Sequence, residues 1–141
     1  MKIAVLGYGT VGSGVVEVLD VNQKLIASRA KEEIEVKYVL DLRNFPGDKI
    51  QEKIVHDYEI ILNDPEIGIV VEVMGGVEPA NTFVRKALEA GKSVVTSNKA
   101  LVAKYGSALL KTAREKNVNF LLKQVWEGDS NPPGTWIIPD R

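Results

Sequence analysis

Short apolar runs alternate with helically spaced apolar residues along most of the chain, and this alternation restricts the fold more than any other feature. Residues 3–6 (IAVL) form a continuous apolar run, as expected for a strand covered on both faces. Apolar residues then recur at helical spacing from Val11 towards Arg29, and a second apolar run follows at residues 36–40. Strands that alternate with helices predict right-handed crossovers and a parallel sheet.

The same alternation continues to residue 121. Asp57 is expected to cap a short helix that ends at residues 63–65 (NDP). We therefore predict an α/β domain at residues 1–121, with a Rossmann-type doubly wound parallel sheet of about five strands in the order 3-2-1-4-5. The remaining strands are predicted at residues 69–73, 93–96 and 118–121, and the remaining helices around residues 83–88 and 101–113.

Composition and charge argue against several classes of protein. The 141 residues carry 18 Lys and Arg against 19 Asp and Glu, so the chain has no basic footprint for nucleic acid or an anionic membrane. The absence of cysteine excludes a disulfide framework, a thiol nucleophile and a thiolate metal site. No apolar run approaches the ~18–20 residues of a membrane span, and the first residues lack a signal-peptide pattern. We expect a soluble, cytoplasmic domain.

Residues 7–12 (GYGTVG) match the pattern GxGxxG, and they lie between the first predicted strand and the first predicted helix. Gly7 is expected to allow the tight turn, Gly9 to let a pyrophosphate approach the backbone, and Gly12 to let helix and strand pack closely. The amides that open the helix would face the phosphates. A glycine-rich turn without a ligand is the alternative, but the order of strand, motif, helix and strand favours dinucleotide binding.

Two charged residues follow the second predicted strand, where the adenine ribose of a dinucleotide is expected. Asp41 could accept hydrogen bonds from a ribose 2′-hydroxyl, which favours NAD, whereas Arg43 could pair with a 2′-phosphate, which favours NADP. Either residue could instead be a solvated turn charge. The sequence therefore leaves the choice between NAD and NADP open.

Small and polar residues follow the third and fourth predicted strands, at the end of the sheet where ligands collect. Gly75 and Gly76 would admit the nicotinamide ribose, and Lys99 could bind ribose or stabilise charge near the hydride-transfer centre. A solvated surface lysine is the alternative for Lys99. His56, the only histidine, lies at no ligand spacing, so we predict no metal site; for Glu72 a structural role is favoured.

Three segments together resemble the cofactor domain of homoserine dehydrogenase: residues 3–12 (IAVLGYGTVG), 70–76 (VVEVMGG) and 91–101 (GKSVVTSNKAL). The glycine loop is a weak signal by itself, whereas the other two segments, in this order and spacing, are specific. The resemblance covers about residues 1–121. It implies a domain of an NAD- or NADP-dependent oxidoreductase that interconverts aspartate semialdehyde and homoserine in threonine and methionine biosynthesis.

The resemblance also implies roles for individual residues. The glycine loop would hold the cofactor phosphates, Gly75 and Thr96 would lie along the nicotinamide half, and Lys99 would lie at the cofactor and the reaction centre in a supporting catalytic role. Arg43 is carried over as a residue of the second-strand loop. The resulting cofactor-binding set is Gly7, Gly9, Thr10, Val11, Gly12, Arg43, Gly75, Thr96 and Lys99.

Residues 122–141 depart from the family pattern and are predicted to be an irregular tail. They contain both tryptophans and half the prolines, and the segment 122–128 (LKQVWEG) replaces the family's Glu-Ala-Ser-Val-Gly-Gly. Codons that encode 122–128 can also spell that family sequence when they are read out of frame. We therefore hypothesise a single-base deletion, which sequencing of the source DNA across residues 117–141 would test.

Beyond this point the family continues into a substrate and dimerisation domain. The sequence of the 141-residue chain is therefore compatible with two functions. In the first, it binds NAD or NADP but is catalytically incomplete. In the second, it forms a non-catalytic NAD(P)-sensing or interaction module that uses the Trp/Pro tail as a contact arm. A substrate domain on a separate chain, and the oligomeric state of a family that is usually dimeric, are left open.

Overall fold

The computed structural model describes residues 2–9, 14, 35–123 and 136–137. Its elements alternate between strands and helices, as the sequence predicts. In chain order they are β1 (Lys2–Leu6), β2 (Glu35–Leu40), a 3-10 helix (Lys49–Lys53), β3 (Ile54–Val55), α1 (Tyr58–Leu62), β4 (Ile67–Glu72), α2 (Ala80–Glu89), β5 (Ser93–Thr96), α3 (Lys99–Glu115), β6 (Phe120–Lys123) and β7 (Trp136–Ile137). The long helix predicted from Val11 lies outside the described residues, except for Gly14, which is helical.

The chain divides into two compact units, Met1–Met74 and Gly75–Arg141. In the first unit β1 pairs in parallel with β2 on one side and with β4 on the other, and β3 extends the sheet beyond β2. The strand order is therefore β3-β2-β1-β4, which is the 3-2-1-4 part of the predicted order. In the second unit β6 pairs in parallel with β5 and antiparallel with β7.

The central position of β1 follows from its apolar sequence. Ile3 is 3% exposed and residues 4–6 are fully buried, so that both faces of the strand are covered. Val36 and Val39 of β2 join Ile3 and Val5 in one core cluster. A strand buried on both faces needs a continuous apolar run, and this is the pattern that residues 3–6 provide.

The segment between β2 and β4 contains a strand that the sequence did not reveal. Ile54 and Val55 pair with Val39 and Leu40 and form the outer strand β3. The sequence prediction counted residues 69–73 as the third strand, and this assignment is wrong: the corresponding strand, β4, is the fourth and lies next to β1. A two-residue strand is too short to show any periodicity, which explains the omission.

The predicted helices of the described region are present. Asp57 caps α1, with its side chain accepting a hydrogen bond from the Glu59 amide at 3.0 Å, and the helix ends at Asn63 as predicted. In the second unit α2 and α3 bury apolar stripes and pack against each other. Among the helices that the structure describes, none has the combined length and hydropathy of a membrane span.

The end of the chain is described at a few positions. Strand β6 extends to Lys123, beyond the domain end predicted at residue 121, and Leu122 and Lys123 pair with Ile137 and Trp136 of β7. Residues 124–135 and 138–141 lie outside the described residues. The prediction of an irregular tail is therefore wrong at residues 122–123 and 136–137, which form strands, and it stays a prediction elsewhere, as does the frameshift.

Candidate functional site

The glycine loop begins where β1 ends, and the peptide group between Leu6 and Gly7 is hydrogen-bonded on both sides. Gly7 has a φ of +100°, a conformation that L side chains rarely adopt. Its amide donates to the Leu40 carbonyl at 2.8 Å, and the preceding Leu6 carbonyl accepts from the Val73 amide at 3.1 Å. A Cβ at Gly7 would meet Met74 atoms at 3.4 Å. Gly7 is therefore required by the turn itself.

Gly9 differs from Gly7 because no contact among residues 2–9 and 35–123 requires a glycine there. It is exposed, its φ lies outside the left-handed region, and a Cβ built on it would meet no atom of the described residues within 4 Å. The backbone of the loop thus has an open face that a side chain would fill. Such a face suits the close approach of a phosphate group. Thr10, Val11 and Gly12, which complete the predicted phosphate loop, lie outside the described residues.

The Asp41 carboxylate ties the glycine loop to the end of β2. Its Oδ2 accepts from the Tyr8 amide at 2.9 Å and from Arg43 Nη2 at 3.0 Å. Its Oδ1 accepts from the Arg43 amide at 2.9 Å and from Arg43 Nε at 3.0 Å. The Asp41 side chain is only 9% exposed, whereas the Arg43 side chain is 62% exposed. Sequence reasoning treated these residues as alternatives, but the structure joins them in one ion pair.

The ion pair fixes the charge of both partners. Hydrogen bonding from the Arg43 side chain, opposed by partial burial, lowers the pKa of Asp41 from 3.8 to about 2. The guanidinium carbon of Arg43 also lies 5.1 Å from the centroid of the Phe45 ring, which in turn contacts the Tyr8 ring edge-on at 4.9 Å between centroids. Arg43 is thus an exposed cation just after β2, and Asp41 and Phe45 hold its side chain in place.

His56 supports the loop that follows β2, a role that the sequence did not suggest. Its Nδ1 lies 2.7 Å from the Asp41 carbonyl oxygen, and its Nε2 lies 3.0 Å from Asn44 Oδ1. The neighbouring Val55 carbonyl accepts from the Asp41 amide at 3.2 Å. Within the described residues no group of His, Asp and Glu side chains is arranged to hold a metal ion. A lone histidine gives no local pattern, so only the pairing of β3 with β2 reveals this contact.

The second unit carries the other predicted site residues. Gly75 and Gly76 form an exposed turn with φ values of +78° and +73°. Thr96 at the end of β5 is fully buried, and its hydroxyl oxygen accepts from the Asn98 amide at 3.0 Å. Lys99 is exposed and is the first residue of α3. The Thr96 side chain therefore helps shape the turn that leads to Lys99.

Glu72 ends β4 in the first unit as a fully buried carboxylate. It accepts a hydrogen bond from the Met74 amide at 3.0 Å. This contact shapes the backbone just after the strand, which is the structural role that the sequence analysis favoured for it.

We expect the free energy of unfolding to fall as the pH is lowered from about 4 to about 2. The pKa of Asp41, and that of Asp64 beside Lys37, is about 2 in the folded chain against an ordinary 3.8. The folded state thus binds fewer protons than the unfolded state, so the stabilisation is complete above pH ~4 and is lost through pH ~2. Urea unfolding at several pH values measures this.

The substitution Asp41→Asn removes the charge of one of these two carboxylates and so measures its contribution. Its lowered pKa corresponds to at most about 2.5 kcal/mol, and solvent screening of the exposed guanidinium reduces this to about 1 kcal/mol. We expect Asp41→Asn to be less stable than wild type by about that amount at pH 7 and to approach the stability of wild type as the pH falls below about 2. Asp57→Asn, which alters the α1 cap, is the matched control. A constant difference between Asp41→Asn and wild type at every pH would contradict the assignment.

A parallel sheet with a glycine loop after its first strand and a charged pair after its second defines an NAD(P)-binding domain of the Rossmann type. A family model described as "Homoserine dehydrogenase, NAD binding domain" matches residues 7–123. The chain belongs to this family, as the three sequence segments indicate, and NAD or NADP is its cofactor.

Related proteins carry the same family name. The homoserine dehydrogenase of Synechocystis sp. is 42% identical over 135 residues, which cover 91% of this chain and 30% of that protein. The homoserine dehydrogenase of Pseudomonas aeruginosa is 43% identical over 119 residues, which cover 84% of this chain and 27% of that protein. The chain therefore spans about 30% of the length of the curated relatives that it matches.

Solved structures show the same fold. A homoserine dehydrogenase from Thiobacillus denitrificans superposes with a TM-score of 0.79 at 38% identity, covering 87% of this chain and 29% of that one. The Staphylococcus aureus enzyme gives a TM-score of 0.77 at 38% identity, covering 85% of this chain and 31% of that one. The predicted fold class, a Rossmann-type doubly wound parallel sheet, is confirmed.

Proposed function

We propose that this chain provides the cofactor-binding part of a homoserine dehydrogenase, which interconverts L-homoserine and L-aspartate 4-semialdehyde with NAD or NADP. The observation that carries the proposal is the open backbone face at Gly9, on a loop that Asp41 ties to Arg43. It supports a site in which a phosphate contacts the backbone and a cation lies near the ribose. We further propose that these 141 residues, by themselves, bind the cofactor without catalysing the reaction.

In the first unit, we assign the pyrophosphate to the loop of Gly7 and Gly9, continued by residues 10–12. Arg43 is assigned to the adenine ribose. Both Asp41 oxygens already accept two hydrogen bonds each, so an incoming ribose meets the exposed guanidinium before it meets the carboxylate. A 2′-phosphate would pair with Arg43 in place, whereas a 2′-hydroxyl would bond Asp41 after Arg43 moves.

In the second unit, we assign Gly75, Thr96 and Lys99 to the nicotinamide half of the cofactor. A cation in the first turn of a helix is disfavoured by the helix dipole by about 0.3–1 kcal/mol, so helix stability does not explain Lys99 there. The bound cofactor supplies the chemistry by accepting or delivering a hydride. We assign Lys99 the supporting role of placing a positive charge near the carbonyl oxygen of the substrate.

Catalysis needs more than the cofactor, because the semialdehyde must be held against the nicotinamide. Correct positioning of two reactants can contribute ~7–11 kcal/mol to the lowering of the barrier. Much of the relatives' length lies outside the part that this chain matches. We propose that this additional length binds homoserine or aspartate semialdehyde and forms a dimer, and that the protein works in the cytoplasm.

Calorimetric titration of the 141-residue chain with NADH and NADPH tests the first part of the proposal. We expect saturable binding of at least one cofactor. The second part is tested by adding homoserine with NAD or NADP and following absorbance of the reduced cofactor, where we expect no turnover. Failure of both cofactors to bind would reject cofactor binding by this chain. Robust homoserine-dependent reduction would reject its catalytic incompleteness.

A further inference from the structure

Asn98 lies between β5 and α3, and its side chain forms two hydrogen bonds, one as an acceptor and one as a donor. It is 7% exposed. Its Oδ1 accepts from the Leu101 amide at 3.0 Å and so caps α3, while its Nδ2 donates to the carbonyl oxygen of Gly76. Its own backbone amide donates to the hydroxyl of Thr96 at 3.0 Å. Asn98 therefore contacts three segments within the second unit.

Capping alone does not explain an asparagine at this position. A helix cap needs only an acceptor, and Asp, Ser and Thr serve as well as Asn. The chain itself shows this elsewhere, because Asp48 and Asp57 cap their helices with carboxylates. Asn combines an acceptor with a donor in one short side chain. The donor is the part that reaches Gly76, so the contact with the glycine turn accounts for the amide.

The glycine turn and the start of α3 are the two parts of the second unit that we assigned to the nicotinamide half. Gly75 and Gly76 are exposed and have positive φ values, and the Gly76 carbonyl accepts the hydrogen bond from the Asn98 side-chain amide group. Lys99 directly follows Asn98 and begins the helix that Asn98 caps. One buried side chain thus connects the turn with the residue assigned to the reaction centre.

We propose that Asn98 is a positioning residue, which holds the Gly75–Gly76 turn against the first turn of α3 and so sets where the nicotinamide half of the cofactor meets Lys99. This inference rests on the proposed roles of Gly75 and Lys99. It assigns Asn98 no contact with the cofactor. Its contribution passes through the Gly76 carbonyl and the helix cap.

The substitution Asn98→Asp separates the two bonds. The carboxylate is nearly the same size and still caps α3, but it has no donor and places an acceptor opposite the Gly76 carbonyl. The turn should therefore separate from α3 while the helix stays capped. Asn98→Ser is a second variant, which keeps a capping hydroxyl and is too short to reach the turn as the amide does. Asp57→Asn, a cap exchange on α1, is the matched control.

The test compares NADH with ADP-ribose, which lacks the nicotinamide, by calorimetric titration of the full chain. We expect wild type to bind NADH more tightly than ADP-ribose. Asn98→Asp and Asn98→Ser should each weaken NADH binding by about tenfold, the size of one lost interaction, and leave ADP-ribose binding within about twofold. Asp57→Asn should change neither affinity. Thermal unfolding should show that the variants are folded.

Each other result has a definite meaning. An equal loss of affinity for both ligands would show that Asn98 acts on the fold as a whole and would overturn the proposal. Unchanged NADH binding in both variants would overturn it as well, as would equal wild-type affinity for NADH and ADP-ribose. If wild type binds neither ligand, the proposed cofactor site itself fails, which separates that failure from the failure of the role of Asn98.

Discussion

The substitution Gly9→Val is expected to lower the affinity for NADH by about 100-fold while it changes the free energy of unfolding by no more than about 0.5 kcal/mol. A Cβ at Gly9 meets no atom within 4 Å in the part of the chain that the structure describes, and the backbone is not in the left-handed region, so we expect a side chain to be tolerated there. The same side chain would occupy the space that we assign to the pyrophosphate. Calorimetric titration and urea unfolding of the same samples measure both effects.

Gly7→Ala is the matched comparison, because it places a Cβ where the fold resists one. The φ of +100° and the 3.4 Å approach to Met74 predict a loss of about 1–2 kcal/mol of stability. The two substitutions in this loop should therefore have different effects: Gly7→Ala should lower the stability of the fold, and Gly9→Val should lower the affinity for NADH. Wild-type NADH affinity in a folded Gly9→Val variant would show that the pyrophosphate does not lie against this loop.

The substitution Arg43→Gln is expected to lower the affinity for NADPH by about 10- to 100-fold and that for NADH by less than about threefold. A 2′-phosphate would lose a charge-assisted partner. NADH has no such phosphate, and removal of the guanidinium would free the Asp41 oxygens that Arg43 occupies for the ribose hydroxyls. The ratio of the two dissociation constants measures the effect, independently of any general loss of stability.

Lys37→Gln provides the control for charge. Lys37 is a cation of β2 that pairs with Asp64 at 2.5 Å, so the substitution changes the net charge by the same amount. We expect it to leave the ratio of NADPH to NADH affinity unchanged. The effect of Arg43→Gln should also diminish at high salt, since it rests on charge pairing. Equal losses for both cofactors in Arg43→Gln would remove Arg43 from the ribose site.

Features that depend only on neighbouring residues could be predicted from the amino-acid sequence. The apolar run of residues 3–6 is enough to define a buried strand, and Asp57 with residues 63–65 is enough to begin and end α1. The glycine pattern, with the segments around Gly75 and Lys99, is enough to place the chain in its family. Each of these signals lies within a few residues, which is the range of strand and helix periodicity.

The combination of the site residues, in contrast, follows from contacts between segments that are distant in the chain. Asp41 reaches the Tyr8 amide across 33 positions of the chain, His56 reaches the Asp41 carbonyl across 15, and Asn98 reaches Gly76 across 22. These contacts depend on strand pairing and on where each turn ends, and no local pattern encodes them. For this reason the sequence presented Asp41 and Arg43 as alternatives and assigned no role to Asn98. In the folded chain Asp41 and Arg43 form an ion pair, and Asn98 connects the Gly76 turn with α3.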